Sequence, residues 1–277
     1  MIQKTFTFTK MVASGNDFIV LEVRSQKSEV RNLKDLAKKM CDRKFGIGAD
    51  GLLVLEKSRK ADIKMRIFNA DGSEAEMCGN GARCAAYYLS QNVSLRAPKG
   101  RSNLKIETKA GVIESIVKGN NIKINLTEPS NLKLDIPIGI NNRLIKVNFI
   151  NTGVPHAVIF VEGLDQIDVA SIGSKIRYHR KFIPVGTNVD FMEILSKDSI
   201  KVRTYERGVE DETLACGTGS VAAALIFALK TVGLDRINVN TESGDTLKVY
   251  FKKEKNKFSD VWLEGKAGIV YKGEYYV

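Results

Sequence analysis

The feature that most constrains the fold is an internal repeat. The segment EAEMCGNGARCAA (74–86) returns as DETLACGTGSVAAA (211–224), so that Cys216 follows Cys78 by 138 residues in a chain of 277. At the same offset, SGNDFIVLEV (14–23) aligns with TGVPHAVIFV (152–161). A register that holds over about seventy residues, with cysteine on cysteine, indicates a duplicated unit. We therefore interpret the chain as two homologous halves.

The boundary between the halves is predicted within PIGINNR (137–143), a stretch rich in turn-forming residues. This division gives an N-terminal domain at 1–140, which carries Cys78, and a C-terminal domain at 141–277, which carries Cys216. In this arrangement the extreme C-terminal strand is free to pack on the first domain.

Hydrophobic periodicity predicts the same order of elements in each half: strands, a helix, two strands, the cysteine turn, a second helix and closing strands. The last predicted helix contains VAAALIFALK (221–230), which is apolar on nearly every side and is typical of a helix buried all round. We predict an α+β fold of two pseudo-symmetric domains, each a mostly antiparallel, curled sheet around a central helix. The predicted helices are 33–43, 79–91, 165–178 and 217–231, and the main predicted strands are 5–10, 17–23, 51–56, 62–68, 144–150, 156–161, 189–195 and 199–205.

Composition narrows the functional classes. The four cysteines show no C-x-x-C spacing and there are only two histidines, which argues against a structural zinc site. No apolar run reaches the roughly 18 residues of a membrane span, and the N-terminus lacks the apolar core of a signal peptide, so we expect a cytoplasmic protein with no membrane partner. The net charge of +11 comes from lysines spread along the chain, and we expect no nucleic-acid partner. No metal, nucleotide or pyridoxal motif is visible, so no cofactor is expected.

Both cysteines of the repeat lie at predicted helix N-termini, and each is followed by Gly-x-Gly. Backbone N–H groups without helical partners, together with the helix dipole, favour negative charge at this position. We therefore expect a lowered thiol pKa. Because the glycines expose the N–H groups, we also expect a binding site for a carboxylate.

The symmetry of the repeat predicts a reaction. If the halves face each other across a cleft, Cys78 and Cys216 converge on one ligand. One sulfur, as thiolate, can then take the proton from an α-carbon while the other, as thiol, donates a proton from the opposite face. This is general acid–base catalysis with two bases, and it inverts a stereocentre. Backbone N–H groups would stabilise the enolate-like charge that forms as the proton leaves.

Other interpretations of the cysteines stay open at this point. Cys78 and Cys216 could be small buried core residues, a redox pair that forms a disulfide, or bystanders in a non-enzymatic binding module. Their equivalent positions and their shared Gly-x-Gly motif favour a catalytic pair. Cys41 and Cys84 have no counterpart in the other half, and we interpret both as packing residues.

Long motifs in the sequence resemble those of diaminopimelate epimerases, in order and spacing, over essentially the whole chain: FTKMVASGNDF, RIFNADGSEAEMCGNGARCAA, VPHAV, TNVDF and YERGVEDETLACGTG. The resemblance implies a cofactor-independent isomerase that converts LL-2,6-diaminopimelate to meso-2,6-diaminopimelate, in lysine and peptidoglycan precursor biosynthesis. It also implies two mirrored domains with the active site between them, and a homodimer.

The same resemblance assigns roles to individual residues. Cys78 and Cys216 would be the acid/base pair, and His156 and Glu206 would flank the reacting centre, bonded to the substrate amine or tuning the thiols. Four backbone amides would hold the reacting carboxylate, and four side chains would read the amino acid, with Arg207 on the distal carboxylate. The amides are those of Gly79, Asn80, Gly217 and Thr218, and the side chains are Asn16, Asn69, Asn188 and Arg207.

Two positions depart from the family pattern. Val154 stands where many members have Asn, and Gly51 stands where some have a Gln that contacts the substrate. Losing the Asn side chain removes a polar contact worth about 1 kcal/mol at the distal end of the substrate. A related racemase for another amino acid, of the proline or lysine type, is therefore the main alternative activity. Arg207 favours a substrate with a second carboxylate.

Overall fold

A computed structural model describes residues 5–23, 32–91, 102–141 and 143–276, and its chain divides into two compact units. Unit 1 comprises Met1–Ile124 together with Gly265–Val277, and unit 2 comprises Asn125–Glu264. The C-terminal segment therefore belongs to the same unit as the N-terminus. Among the described residues, no helix is both long and apolar enough to span a membrane.

The described residues of unit 1 form two helices and most of the strands of the first half. Its elements are β1 (Thr5–Ala13), β2 (Asn16–Val23), α1 (Leu33–Cys41), β3 (Gly51–Glu56), β4 (Ile63–Asn69), β5 (Glu74–Ala75), α2 (Gly79–Gln91), β6 (Asn103–Thr108), β7 (Gly111–Lys118), β8 (Asn121–Asn125) and, from the C-terminal segment, β18 (Gly268–Tyr276).

The described elements of unit 2 match those of unit 1, with one additional 3-10 turn. They are β9 (Ser130–Ile140), β10 (Arg143–Asn151), β11 (Pro155–Phe160), a single 3-10 turn (Leu164–Gln166), α3 (Val169–Arg177), β12 (Asn188–Ser196), β13 (Ser199–Glu206), β14 (Asp211–Thr213), α4 (Gly217–Leu229), β15 (Arg236–Thr241), β16 (Thr246–Glu254) and β17 (Lys257–Lys266).

The two units share one strand topology. In unit 1 neighbouring strands follow the order β18-β1-β2-β3-β4-β6-β7-β8, and in unit 2 they follow β9-β10-β11-β12-β13-β15-β16-β17. All these pairs are antiparallel except β2/β3 and β4/β6 in unit 1 and the equivalent β11/β12 and β13/β15 in unit 2. Strand β18 occupies in unit 1 the place that β9 occupies in unit 2. The repeat seen in the sequence is therefore a repeat of structure.

The stretch PIGINNR differs from the sequence expectation. The structure has Pro137 and its neighbours in β9, paired with β10 through contacts such as Pro137 with Lys146 and Ile140 with Arg143. This segment is a hairpin inside unit 2 rather than the joint between halves, and the units divide instead at Ile124/Asn125. A proline is compatible with an edge strand, because no further strand needs its missing N–H. Position 142 lies outside the described residues.

The helices fall into two equivalent pairs. The central helices α2 and α4 contact strands across their own sheets, and α4 is buried along almost its whole length because it is built from small and apolar residues. The outer helices α1 and α3 are amphipathic. Their N-cap residues are Asn32 and Asp168, whose side chains accept hydrogen bonds from the backbone amides of Asp35 and Ser171. Each unit thus holds its cysteine helix inside a curved sheet and covers the sheet with a second helix.

Candidate active site

Cys78 lies at the N-terminal end of α2 and is a half-buried thiol. Strand β5 leads into the turn, and the helix begins at the next residue, Gly79. The carbonyl oxygen of Cys78 accepts a hydrogen bond from the Ala82 amide at 2.9 Å, and its Sγ accepts one from the Gly81 amide at 3.5 Å. The sulfur therefore takes the place of an N-cap side chain, on an amide of the first helical turn.

Cys216 occupies the equivalent position at the start of α4, but it is buried. Its backbone is extended (φ −103°, ψ 114°), and its carbonyl oxygen accepts from both the amide and the hydroxyl of Ser220 at 2.9 Å. Thr218 Oγ1 lies 3.5 Å from Cys216 Sγ. Each unit therefore carries a thiol at the N-terminus of its central helix.

The pKa of Cys216 differs from the sequence expectation of a lowered value. Burial raises this pKa well above the usual value of a thiol, the carboxylates of Glu206 and Asp190 raise it further, and the Gly219 amide lowers it. The expectation of a lowered pKa is wrong for Cys216, because burial and two nearby negative charges outweigh the first-turn amides. Cys216 is therefore held as a thiol at neutral pH.

Cys41 and Cys84 are buried in the interior of unit 1, at the end of α1 and in the middle of α2. Burial raises the pKa of each thiol to about 12. A thiol of this kind is neither a nucleophile nor a base at neutral pH. Both cysteines pack the core, which agrees with their lack of counterparts in the repeat.

A chain of buried polar groups lies beside Cys216 in unit 2. His156, which is fully buried, has Nδ1 2.8 Å from Asp190 Oδ2 and Nε2 3.0 Å from Thr218 Oγ1. Thr204 donates its hydroxyl to Asp190 Oδ1 at 2.8 Å. The neighbouring strands β11, β12 and β13 present these side chains to the first turn of α4. A continuous series of hydrogen bonds therefore runs from Thr204 through Asp190 and His156 to Thr218. The Thr218 hydroxyl in turn lies next to Cys216.

The predicted substrate-reading residues of unit 1 are held by short polar contacts. Asn16 donates from Nδ2 to Asp50 Oδ2 at 2.7 Å, and Asp50 also accepts from Arg43 at 2.7 Å. Asn69 donates from Nδ2 to Ser73 Oγ at 2.9 Å. These contacts use the nitrogen of each amide and fix the direction in which each amide oxygen points.

Asn80, on the first turn of α2, is buried against an arginine. Arg83 is fully buried and donates to Asn80 Oδ1, to Ser14 Oγ at 3.2 Å and to the Lys266 carbonyl at 3.4 Å. The guanidinium therefore connects the N-terminus of α2 to the β1–β2 turn and to the C-terminal segment of the same unit. Asn80 is held rigidly as a result.

Asn188 in unit 2 uses both ends of its amide on the backbone. Its Nδ2 donates to the Pro155 carbonyl at 3.0 Å, and its Oδ1 accepts the Arg207 amide at 2.8 Å. The Arg207 side chain donates to the Val185 carbonyl at 3.1 Å. Asn188 thereby joins the start of β11 to the loop that carries Arg207, and in the structure it organises this turn.

Glu206 ends β13 and is half-buried; its carboxylate accepts the Thr213 hydroxyl at 2.9 Å. Thr213 belongs to β14, the strand that leads into the Cys216 turn. The structure therefore brings Glu206 close enough to Cys216 for its charge to raise the pKa of the thiol.

Matching ion pairs brace the two cysteine turns. Arg66 binds Glu74 through Nε and Nη2 at 2.8 and 3.1 Å, and Arg203 binds Glu212 through the same two atoms at 2.7 and 2.8 Å. Each pair joins a long strand to the short strand that precedes a cysteine. Bidentate arginine–carboxylate pairs are directional, so each one fixes the approach to its turn.

Comparison with known proteins bears on this geometry. The family model described as diaminopimelate epimerase matches residues 8–132 and 148–270. The chain belongs to this family. Its relatives include diaminopimelate epimerases from Chlorobaculum tepidum (41% identical, covering 95% of this chain and 98% of that protein), Aquifex aeolicus (41%, 96% and 96%) and Methanocella arvoryzae (43%, 96% and 95%). The resemblance drawn from the motifs is confirmed, and the chain is an isomerase of the epimerase type.

Solved structures agree on the fold. A PhzF-family phenazine biosynthesis protein from Bacillus anthracis matches with a TM-score of 0.74 at 21% identity, covering 99% of each chain. A probable proline racemase from Agrobacterium radiobacter matches with a TM-score of 0.74 at 15% identity, covering 98% of this chain and 92% of that one. At such identities the likeness concerns the fold alone, and the predicted α+β fold is confirmed.

The two departures from the diaminopimelate epimerase pattern have structural settings. A Cβ on Gly51 would lie 2.9 Å from the Phe68 carbonyl oxygen, so backbone closes this position to a side chain. Val154 lies in the turn before β11, where its carbonyl accepts the Thr152 amide at 3.2 Å. Thr152 in turn donates its hydroxyl to the Thr218 carbonyl at 3.0 Å, which ties the turn to the start of α4.

Sequence reasoning missed one buried charged residue near the cysteine turn of each unit. Asp190 is the acidic residue buried within the apolar strand β12, and Arg83 is a charged residue inside the small-residue helix α2. A charge within a buried segment is a signal of a polar partner, because an unpaired charge there is costly. Within the described ranges, no three His, Cys, Asp or Glu side chains are grouped as metal ligands.

Proposed function

We propose that the chain epimerises LL-2,6-diaminopimelate to meso-2,6-diaminopimelate without a cofactor, by a two-base mechanism in which Cys78 and Cys216 are the acid and the base. The observation that supports this proposal most strongly is the duplicated cysteine at the N-terminus of each central helix, in a member of the diaminopimelate epimerase family. The reaction would serve lysine and peptidoglycan precursor biosynthesis in the cytoplasm.

In the proposed reaction one cysteine, as thiolate, removes the α-proton, and the other, as thiol, delivers a proton to the opposite face of the same carbon. The α-C–H bond breaks, its electrons move into the carboxylate-stabilised carbanion, and a new α-C–H bond forms from the second sulfur. The number of protons on the two sulfurs is unchanged after each turnover, so no co-reactant is needed.

The first-turn amides of α2 and α4 would hold the reacting carboxylate. In this proposal Gly79 and Asn80 donate from one unit, and Gly217 and Thr218 donate from the other. Amides that are already oriented by a helix cost no reorganisation when negative charge moves from the α-carbon towards the carboxylate. The burial of the Asn80 side chain against Arg83 supports this role, since it holds the turn in place.

The remaining predicted residues would select the substrate. Arg207 would bind the distal carboxylate, and Asn16, Asn69 and Asn188 would bind polar groups of the amino acid. His156 and Glu206 would act on the substrate amine or on the thiols. We further propose that the active enzyme is a homodimer, as the family resemblance implies.

Serine variants of the two cysteines test the proposal. Cys78→Ser and Cys216→Ser should each lower kcat by at least about a hundredfold, with little change in KM, because a hydroxyl is a far weaker base than a thiolate. Cys84→Ala, on the same helix as Cys78, is the matched control and should remain active. Rapid inactivation by a thiol alkylator, prevented by diaminopimelate, should accompany this result. If either serine variant keeps near wild-type turnover, the two-thiol mechanism is wrong.

A panel of amino acids in D₂O separates diaminopimelate from other substrates. Solvent deuterium should enter the α-position of diaminopimelate and not that of proline or lysine. Exchange into proline or lysine alone would replace the proposed substrate with that of a broader racemase.

A further inference from the structure

The buried groups beside Cys216 form a hydrogen-bonded chain with a defined direction. An ionised carboxylate only accepts hydrogen bonds, so Asp190 accepts from Thr204 on one oxygen and requires a proton on His156 Nδ1 at the other. A neutral imidazole with Nδ1 protonated accepts at Nε2, and the Thr218 hydroxyl must therefore donate there. The lone pairs of Thr218 Oγ1 then face the Cys216 thiol at 3.5 Å.

In the described part of unit 1, the equivalent strand positions hold apolar residues instead of such a chain. Strand pairing aligns β11 and β12 with β2 and β3, so that Phe18 occupies the position of His156 and Leu53 that of Asp190. In the next strand, Ile67 opposes Leu53 as Thr204 opposes Asp190. All three unit 1 counterparts are buried and apolar.

The central helices provide an independent check on this alignment. A Cβ placed on Gly219 would meet Asp190 Oδ1, whereas a Cβ placed on the equivalent Gly81 would meet Leu53 Cδ2. The acid and the leucine therefore occupy the same place below the cysteine turns. The two cysteines therefore occupy equivalent positions, but the residues packed beneath their turns differ: a carboxylate in unit 2 and an apolar side chain in unit 1.

We propose that Asp190, His156 and Thr218 form a proton chain that serves Cys216 alone, with Asp190 as the positioning residue that fixes the tautomer of the imidazole. The proton of the Cys216 thiol passes to Thr218 Oγ1 while the hydroxyl proton of Thr218 passes to His156 Nε2. One S–H and one O–H bond break, one O–H and one N–H bond form, and the total charge of Cys216 and the chain together is unchanged. Asp190 stabilises the imidazolium that results.

The catalytic use of this chain rests on the proposed function, in which Cys216 acts on the substrate. The hydrogen-bonded chain itself can be tested without substrate. The protein has two histidines, so NMR of histidine labelled at its ring nitrogens has only His156 and His179 to assign. Wild-type protein should show His156 protonated at Nδ1. Asp190→Asn should weaken or reverse this preference, because an amide can donate as well as accept and no longer selects the tautomer. A wild-type His156 protonated only at Nε2 would overturn the proposal.

Kinetics provide the second readout. Asp190→Asn should lower kcat by at least about tenfold with KM within about twofold, because the change acts on proton transfer and not on substrate binding. The alkylation rate of Cys78 should stay within about twofold of wild type, because Cys78 Sγ is bonded to the Gly81 amide of its own unit and the chain ends at Cys216. An Asp190→Asn enzyme with wild-type kcat, or one in which both cysteines change reactivity equally, would contradict a chain dedicated to Cys216.

Two further variants guard against a folding defect. Thr204→Val removes only the hydroxyl that binds Asp190 Oδ1 and should lower kcat less than Asp190→Asn, in the same direction. Thr241→Val removes another buried hydroxyl of unit 2, bonded to the Asp245 carbonyl, and should leave kcat unchanged. Equal losses in both threonine variants would show a general structural effect and overturn the assignment. If wild-type protein exchanges no α-deuterium into diaminopimelate, the proposed function fails, while the His156 tautomer still decides the chain.

Discussion

Adding one methyl group at the third position of each central helix should have very different effects in the two units. Gly81 and Gly219 are equivalent residues in the first turns of α2 and α4. A Cβ on Gly81 would lie 3.0 Å from Leu53 Cδ2, the tip of a side chain that can rotate. A Cβ on Gly219 would lie 2.2 Å from Asp190 Oδ1 and 3.3 Å from Cys216 Cβ.

The magnitudes follow from what each methyl group displaces. In Gly81→Ala, mild overpacking of about 1–2 kcal/mol is offset by the roughly 1 kcal/mol that alanine gains over glycine within a helix. The net change in the free energy of unfolding should therefore be within about 1 kcal/mol. In Gly219→Ala the Asp190 carboxylate must move away from Thr204 and His156. The two hydrogen bonds to this buried charge are worth about 1.5–3 kcal/mol each. Less the roughly 1 kcal/mol that alanine gains in a helix, a loss of about 2–5 kcal/mol is expected.

Urea unfolding of the two variants, followed by fluorescence and by activity, measures this contrast. Gly219→Ala should unfold at a clearly lower urea midpoint than Gly81→Ala, with an unchanged m-value, and should also lose more of its turnover. Equal urea midpoints, or a lower midpoint for Gly81→Ala, would refute this reasoning. They would show that Asp190, which is fixed by hydrogen bonds in unit 2, does not differ in its response from the rotatable Leu53 at the equivalent position of unit 1.

Two further predictions concern ionisation. Iodoacetamide at neutral pH should modify Cys78 first and leave Cys41 and Cys84 intact in the folded protein, because burial raises the pKa of Cys41 and Cys84 to about 12. Peptide mass spectrometry measures the modification at each cysteine. Early modification of Cys41 or Cys84 would contradict their burial. Burial raises the pKa of Asp17, but hydrogen bonds from a neighbouring arginine and lysine outweigh it and hold the pKa at about 2, below the usual 3.8. The stabilisation from this carboxylate is present above pH 3.8 and lost as the pH falls towards 2. Asp17→Asn should therefore have a lower free energy of unfolding than wild type at neutral pH, and this difference should vanish in acid. A difference in unfolding free energy that stays constant across that pH range would contradict this prediction.

Much of the fold could be predicted from the sequence because the repeat supplied its own check. The helix predicted at 79–91 is observed as Gly79–Gln91, and the strand predicted at 51–56 is observed as Gly51–Glu56. These segments have strong periodicity and clear glycine boundaries. The hairpin through Pro137 was not predictable, because proline, glycine and asparagine suggest a turn unless the position of the strand at a sheet edge is known. The sequence analysis did allow the extreme C-terminal strand to pack on the first domain, and β18 pairs with β1 in unit 1.

The site could be predicted where its residues adjoin in sequence, and not where they meet through strand register. The cysteine turns are contiguous motifs, and both lie at helix N-termini as expected. The contact between His156 and Asp190 depends on a parallel pairing of β11 with β12, which no local pattern encodes. The raised pKa of Cys216 was missed for the same reason, since burial and the charge of Asp190 come from tertiary structure.

The most direct test of the central claim, that two sulfurs act on opposite faces of one carbon, is the isotope content of substrate and product in D₂O at early conversion. Starting from LL-diaminopimelate, a two-base mechanism predicts that meso product carries deuterium at the inverted α-carbon while unreacted substrate carries none, because the proton removed by one sulfur is not the one delivered by the other. Product that retains the original hydrogen, or substrate that gains deuterium as fast as product does, would show a single base and contradict the account.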